Sequence, residues 1–269
     1  MAGKKKKKDA VDVLLTLGML ICACVFVFAA YKLISAGLEY KEAQDEYADL
    51  RKYASEAAPG SDEDGGTDTQ GNPLTAETLE DLPPDVDFTS LQGINPDVIG
   101  WLVVDSLDIS YPIVQGKDND EYLHHTFEKT YNFAGSIFMD FANKRDFSDC
   151  HTIIYGHNMK DQSMFGKLKF IKEKELYKEN PYFWIITPEG KSRYRMFSAH
   201  VTSSLGDTYT LFSAPDQQFV DYMNKMASES EVPLGDFTFT TESKAVTLTT
   251  CTSNSTQRFV VQGILVDTW

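Results

Sequence analysis

A mainly β domain of sandwich or barrel type, carried behind one apolar helix, is the fold class this sequence predicts. Three observations point to it. About eight short β-type runs succeed one another after residue 97, separated by turn residues at spacings typical of sandwiches and barrels. Helical patterns in that region are few, and no βαβ alternation supports a parallel doubly wound sheet. Near the amino terminus lies one long uncharged apolar run.

That run comes first in the chain. Lys4 to Lys8 are five consecutive lysines, and an apolar segment over 11–34 follows with no charge between Val13 and Tyr31. At 1.5 Å per residue, about 20 residues cross the ~30 Å hydrocarbon core, so the segment is expected to be a transmembrane helix. The lysine block marks residues 1–10 as a cytoplasmic basic tail and places the rest outside the membrane. A cleaved signal peptide is the competing reading. Its apolar stretch would run about 7–15 residues to a small-x-small site, whereas this one is longer and passes Ala29 and Ala30 straight into Tyr31 and Lys32.

Residues 35–57 read as a helical stalk. Tyr40, Ala43, Tyr47, Leu50 and Ala54 recur at helical spacing and share one stripe. The stripe suits a short coiled-coil seam, or a helix that lifts the domain or packs on it. Residues 58–73 hold no large apolar side chain and read as a flexible acidic linker. An extracellular domain is then expected over 74–269.

Within it, strands are expected over 98–104, 109–114, 135–140, 151–155, 182–187, 192–199, 237–241, 245–251 and 258–266. A short helix with an Asx cap is expected over 118–123, and longer ones over 163–175 and 214–228. In the last of these, Pro215 falls in the first turn, and Phe219, Tyr222, Met223 and Met226 share a face.

The net charge is −15, but residues 1–35 carry six lysines and two aspartates, leaving 19 basic against 38 acidic residues beyond them. A domain of net charge −19 repels polyanions, which argues against nucleic acid as a partner. Of four cysteines, Cys22 and Cys24 sit inside the apolar run, and Cys150 and Cys251 lie far apart downstream. No metal-ligand spacing is present and no EF-hand loop, so no metal or organic cofactor is expected.

Three residues carry candidate chemistry. Cys251 ends one β-run and Arg258 opens the next after a short polar turn; outside the membrane an unpaired thiol calls for an explanation. A Cys150–Cys251 disulfide is one, and a nucleophile is another. If the two runs pair, the guanidinium returns close to the sulfur, where a five-donor cation suits an oxyanion. His157 follows Gly156 at the end of a third run, with Asn158 behind it to hold the ring. Thiol, imidazole and guanidinium together form an acyl-transfer set.

These motifs resemble those of sortases, the cysteine transpeptidases of Gram-positive surfaces. TLTTC over 247–251 followed by Arg258 is similar to their cysteine–arginine signature, and IYGHNM over 154–159 with SMF over 163–165 resembles their histidine region. INPDVIGW over 94–101, YPIVQ over 111–115 and DNDEYL over 118–123 look like class B sortases in particular. The resemblance implies a closed eight-stranded β-barrel with a few peripheral helices. It implies Cys251 as nucleophile, His157 as general acid/base and Arg258 as oxyanion or substrate-positioning residue. Substrate contacts would fall on Asn119, Leu123, Thr249 and Thr252. Its implied partners are secreted proteins bearing a carboxyl-terminal sorting signal and a peptidoglycan amine or its precursor. From the acidic charge of the domain, acidic groups near the groove are expected to attract a cationic amine acceptor.

Two features depart from the family pattern. The turn between Cys251 and Arg258 is shorter than in many relatives, and Thr252 stands where some class B members carry an acidic residue. Two other functions share parts of this pattern. A pilin-polymerising sortase would use the same three residues, but typically adds a lid segment or a second membrane helix, and the sequence shows neither. A non-enzymatic surface-binding protein on a stalk would suit the anchor and the β-rich domain, yet leaves the Cys–His–Arg set unexplained.

Overall fold

The computed structural model describes residues 10–55 and 83–269. The lysine block and the expected acidic linker over 58–73 lie outside the described residues. The chain forms two units, one ending at Ala43 and one running from Gln44 to Trp269. A single helix, α1 (Ala10–Leu50), passes through the expected boundary at 34 without a break. Its 41 residues measure about 60 Å at 1.5 Å each, enough for an apolar span and a polar extension in one rod. Among the described residues it is the one helix long and apolar enough to cross a membrane.

The second unit takes in the last turns of the expected stalk. Tyr47 and Leu50 are buried in it. The Tyr47 hydroxyl donates to the Gly135 carbonyl at 2.7 Å and accepts from the Phe127 amide at 3.2 Å. These two stripe positions therefore pack on the chain's own domain.

Eight strands close a barrel: β1 (Val98–Val104), β2 (Ile109–Val114), β3 (Ile137–Met139), β4 (His151–Tyr155), β5 (Tyr182–Thr187), β6 (Gly190–Ser203), β7 (Ala245–Cys251) and β8 (Gln257–Thr268). Around the barrel the order is β8-β6-β5-β1-β2-β3-β4-β7, with β7 returning to β8. The pairs β2–β3 and β4–β7 are parallel and the others antiparallel. Closure leaves no free sheet edge, which decides between the sandwich and barrel readings.

Four expected elements differ. Residues 237–241 form no strand; Phe239 instead packs its ring 5.1 Å from Phe197 outside the barrel. The 163–175 helix shrinks to one turn, α3 (Phe170–Glu173), after the short helix α2 (Phe88–Ile94) earlier in the chain. Gln162 and Met164 take φ of 70° and 50°, left-handed values that a helix cannot continue through. The Asx turn at Asp118 forms, its carboxylate accepting from the Asp120 and Glu121 amides, but no helix follows. The last helix, α4 (Gln217–Ser228), starts later than expected because Asp216 is its N-cap and Pro215 precedes the cap.

The face of α4 carrying Phe219, Tyr222, Met223 and Met226 is buried as its periodicity predicts, against Cys150, Phe197, Phe239 and Ala245. Cys150 and Cys251 are both free. Cys150 immediately precedes His151, which pairs with Ala245 at the far end of β7. Six residues of strand, about 20 Å, therefore separate the thiols, too far for a disulfide.

Under α4 lies a buried polar cluster. His151 Nδ1 donates to the Thr210 carbonyl and Nε2 accepts from Thr247 Oγ1, both at 2.8 Å, and Gln262 donates to Thr247 and Tyr222 at 2.9 Å each. Burial pushes the pKa of His151 down to about 4 from an ordinary 6.5, against the opposing pull of the Thr210 carbonyl. The unfolded chain takes up its proton near 6.5 while the folded chain waits until about 4. Stability contributed by the neutral ring is thus lost as pH falls through that window, by up to ~3 kcal/mol. Thermal unfolding from pH 7 to 4 is expected to show this loss, and His151→Gln to flatten it. An equal acid loss in both proteins would refute the assignment.

Candidate active site

The site follows from the registers of three neighbouring strands. In the parallel pair β4–β7, Tyr155 stands opposite Thr249, and the Gly156 amide continues the ladder to the Thr249 carbonyl at 3.1 Å. Two residues further along each chain come His157 and Cys251. In the antiparallel pair β7–β8, Arg258 stands directly opposite Cys251. Register partners present side chains to the same face. One row across the end of the barrel therefore reads His157, Cys251, Arg258, and all three line one cleft of about 330 Å³. The cysteine and arginine converge because they are ladder partners, and the short turn is what enforces that register.

Each side chain is held. His157 Nε2 lies 2.7 Å from the Leu123 carbonyl. A carbonyl only accepts, so Nε2 carries the proton and Nδ1 of the neutral ring is left with the lone pair. Burial lowers the His157 pKa below the ordinary 6.5; the Leu123 carbonyl raises it and the neighbouring His124, its ring 6.3 Å away, lowers it further. Asn158 does not hold the ring as expected: its amide donates to the Cys251 carbonyl at 2.8 Å and ties the two strand ends together. Gly156 serves close packing, since a Cβ there would meet Ile137 at 2.5 Å and Phe165 at 2.7 Å.

Arg258 Nη1 donates to the carbonyls of Ser255 and Gln257 at 2.9 Å each. Two carbonyls of the turn thus aim the guanidinium and leave its other N–H groups to the cleft. Thr252 shapes the same turn, its hydroxyl contacting the Asn254 and Gln257 carbonyls at 3.0 and 3.4 Å. It does not line this cleft; Asn119, Leu123 and Thr249 do.

The cleft floor is a polar-anchored aromatic stack. Tyr155 stacks on Phe138 at 5.2 Å and lies parallel to Tyr209 at 6.5 Å. The buried carboxylate of Asp140 accepts from Tyr155 and from the Asn119 amide at 2.8 Å each. The Tyr209 and Thr249 hydroxyls share a 2.8 Å hydrogen bond. Burial raises the Tyr209 pKa, so its hydroxyl stays protonated beside Cys251 and Arg258. Reading the sequence missed Asp140, Tyr155 and Tyr209. Tyr209 ends a single 3-10 turn, Asp207–Tyr209, that no sequence pattern marks; Tyr155, directly before Gly156 and His157 at a strand end, was the one detectable. No Asp or Glu among the described residues lines the cleft itself, so the acidic groups expected near the groove are absent from its wall. Among the described residues no cluster of three or more His, Cys, Asp or Glu side chains could hold a metal.

A family model described as the Sortase domain matches residues 102–266. The chain is 33% identical to sortase B of Listeria monocytogenes, across 92% of this chain and 94% of that one. It is 27% identical to sortase B of Staphylococcus aureus, across 94% and 96% respectively. Among solved structures, sortase B from Bacillus anthracis in complex with AAEK1 is similar with a TM-score of 0.68 at 30% identity, covering 85% of this chain and 98% of that one. The chain belongs to the sortase family of cysteine transpeptidases. Its relatives place it in class B, which sets aside the non-enzymatic reading.

Proposed function

We propose that the chain is a membrane-anchored sortase acting on the outer face of a Gram-positive cell, with α1 as a single-pass anchor and its amino terminus in the cytoplasm. The row His157, Cys251, Arg258 across the ends of three adjacent strands carries this reading. Cys251 attacks a backbone carbonyl in the carboxyl-terminal sorting signal of a secreted protein. Because burial keeps His157 neutral, the imidazole takes the thiol proton and passes it to the leaving amine. A thioester forms as the peptide C–N bond breaks. A peptidoglycan amine, or that of its precursor, then displaces the sulfur. Asn119, Leu123 and Thr249 line the path of the signal; Thr252 acts through the turn.

The test is intact-mass spectrometry of the full chain, in detergent, mixed with a panel of sorting-signal peptides and amines. An acyl adduct on Cys251 that converts to amide product is expected; turnover with no adduct at Cys251 would refute the assignment. Arg258→Ala is expected to lower kcat about 10²- to 10³-fold, the effect of removing an oxyanion donor. Arg258→Lys should recover little, because a point charge cannot hold two turn carbonyls and still present a donor fork. Steady-state kinetics on the two variants checks this, and wild-type kcat in Arg258→Ala would exclude the role.

A further inference from the structure

The last turns of α1 reach a loop over 122–136, and that loop supplies the carbonyl that holds His157. Tyr47 is buried against it. The Tyr47 hydroxyl, bonded to the Phe127 amide and the Gly135 carbonyl, also lies 3.1 Å from Ser136 Oγ, so it joins the two arms of the loop. Glu46 adds a further bond, its carboxylate accepting from the Glu128 amide at 2.9 Å. Within the loop the Ser136 amide donates to the Tyr122 carbonyl and the Asn132 amide to the His124 carbonyl, both at 2.9 Å. These two cross-links bracket Leu123. Gly135 makes the closest approach: its φ of 57° is left-handed, and a Cβ there would meet the Leu123 carbonyl oxygen at 2.7 Å. That oxygen is the acceptor of the bond from His157 Nε2.

We propose that Tyr47 is a positioning residue for transfer: through Gly135 it sets the Leu123 carbonyl, and so the tautomer and direction of the His157 ring. Nε2–H must stay on that carbonyl if Nδ1 is to exchange a proton with the thiol. A loop carbonyl can hold a ring in this way only while the loop is still. Residues 122–136 form no strand, and they cross at one isolated bridge, His125 to Tyr131. Support from α1 makes up for that. The bonds of the Tyr47 hydroxyl to Phe127 and Gly135 are buried, so leaving the two main-chain groups without it is costly. Burial raises the Tyr47 pKa far above its ordinary value, so the phenol stays a donor, and the Tyr111 ring packs edge-on against it at 5.4 Å. The proposal rests on His157 as the proton carrier. On it the functional domain begins within α1, where the second unit begins at Gln44, rather than at residue 74.

The test uses the full chain in detergent with ¹⁵N-labelled histidine. Long-range proton–nitrogen spectra report the tautomer of each ring, and loss of one set of signals in His157→Gln assigns that residue. Wild type is expected to show His157 as a single Nε2–H tautomer. Tyr47→Phe keeps the ring against Tyr111 and removes the hydroxyl. His157 should then populate both tautomers, and kcat for transfer should fall about fivefold, the net worth of one hydrogen bond. Gly135→Ala drives a methyl at the Leu123 oxygen and should act in the same sense more strongly. Cys150→Ser, a change in the α4 core, should lose stability with tautomer and kcat unchanged. A single Nε2–H tautomer in Tyr47→Phe overturns the proposal, whether or not Gly135→Ala folds. Equal loss of kcat in Cys150→Ser overturns it as well, by making the effect one of stability. A mixed tautomer with wild-type kcat would refute His157 as the proton carrier and leave its tie to Tyr47 standing.

Discussion

Replacing Cys251 with alanine is expected to abolish both adduct and product, a loss on the order of 10⁴-fold or more, as for a nucleophile acting within a catalytic unit. The variant should fold. Cys251 is half-buried at a strand end, and the bond it receives from Asn158 goes to its backbone carbonyl, which alanine retains. Unfolding stability within about 0.5 kcal/mol of wild type is expected, as for substitutions outside a core. Cys251→Ser should fail nearly as completely, since a hydroxyl needs stronger activation than a thiol. Cys150→Ser provides the contrast: that thiol lies in the α4 core, with its pKa raised by burial, so the variant loses stability and keeps transfer. Intact mass and product yield for the three variants, beside thermal unfolding, check the set. Activity in Cys251→Ala within tenfold of wild type would end the thioester reading.

The barrel strands were legible because each is a short apolar or alternating run between turn residues, and strand pairing rewards that pattern locally. What failed locally was decided by tertiary contacts. Residues 237–241 look like a strand but satisfy their aromatic rings against Phe197, outside the ladder. The pattern over 163–175 is helical, but two left-handed residues at Gln162 and Met164 bend the chain to seat Phe165 in the core. The site divides the same way. Cys251 and Arg258 were readable as partners because one short turn joins them. His157 reaches them through the parallel β4–β7 register, a pairing across almost a hundred residues that no spacing rule contains. Asp140 shows only once the fold places Asn119 and Tyr155 on one carboxylate oxygen.

His157→Ala is expected to cost about 10²- to 10⁴-fold in kcat/KM, the contribution of one positioned acid–base group. The pH profile separates this role from mere packing. If neutral imidazole must take the thiol proton, kcat/KM falls as pH drops through the His157 pKa. Burial sets that limb below the ordinary 6.5. His124 is exposed, and its charge disfavours a second charge on His157. Removing it by His124→Gln lets His157 protonate more readily, so the acid limb should move up toward 6.5 while the plateau holds. The Leu123 carbonyl acts in the opposite sense: by fixing the proton on Nε2 it assigns proton exchange to Nδ1. An acid limb that ignores His124→Gln, or one that survives in His157→Ala, would show that another group titrates there.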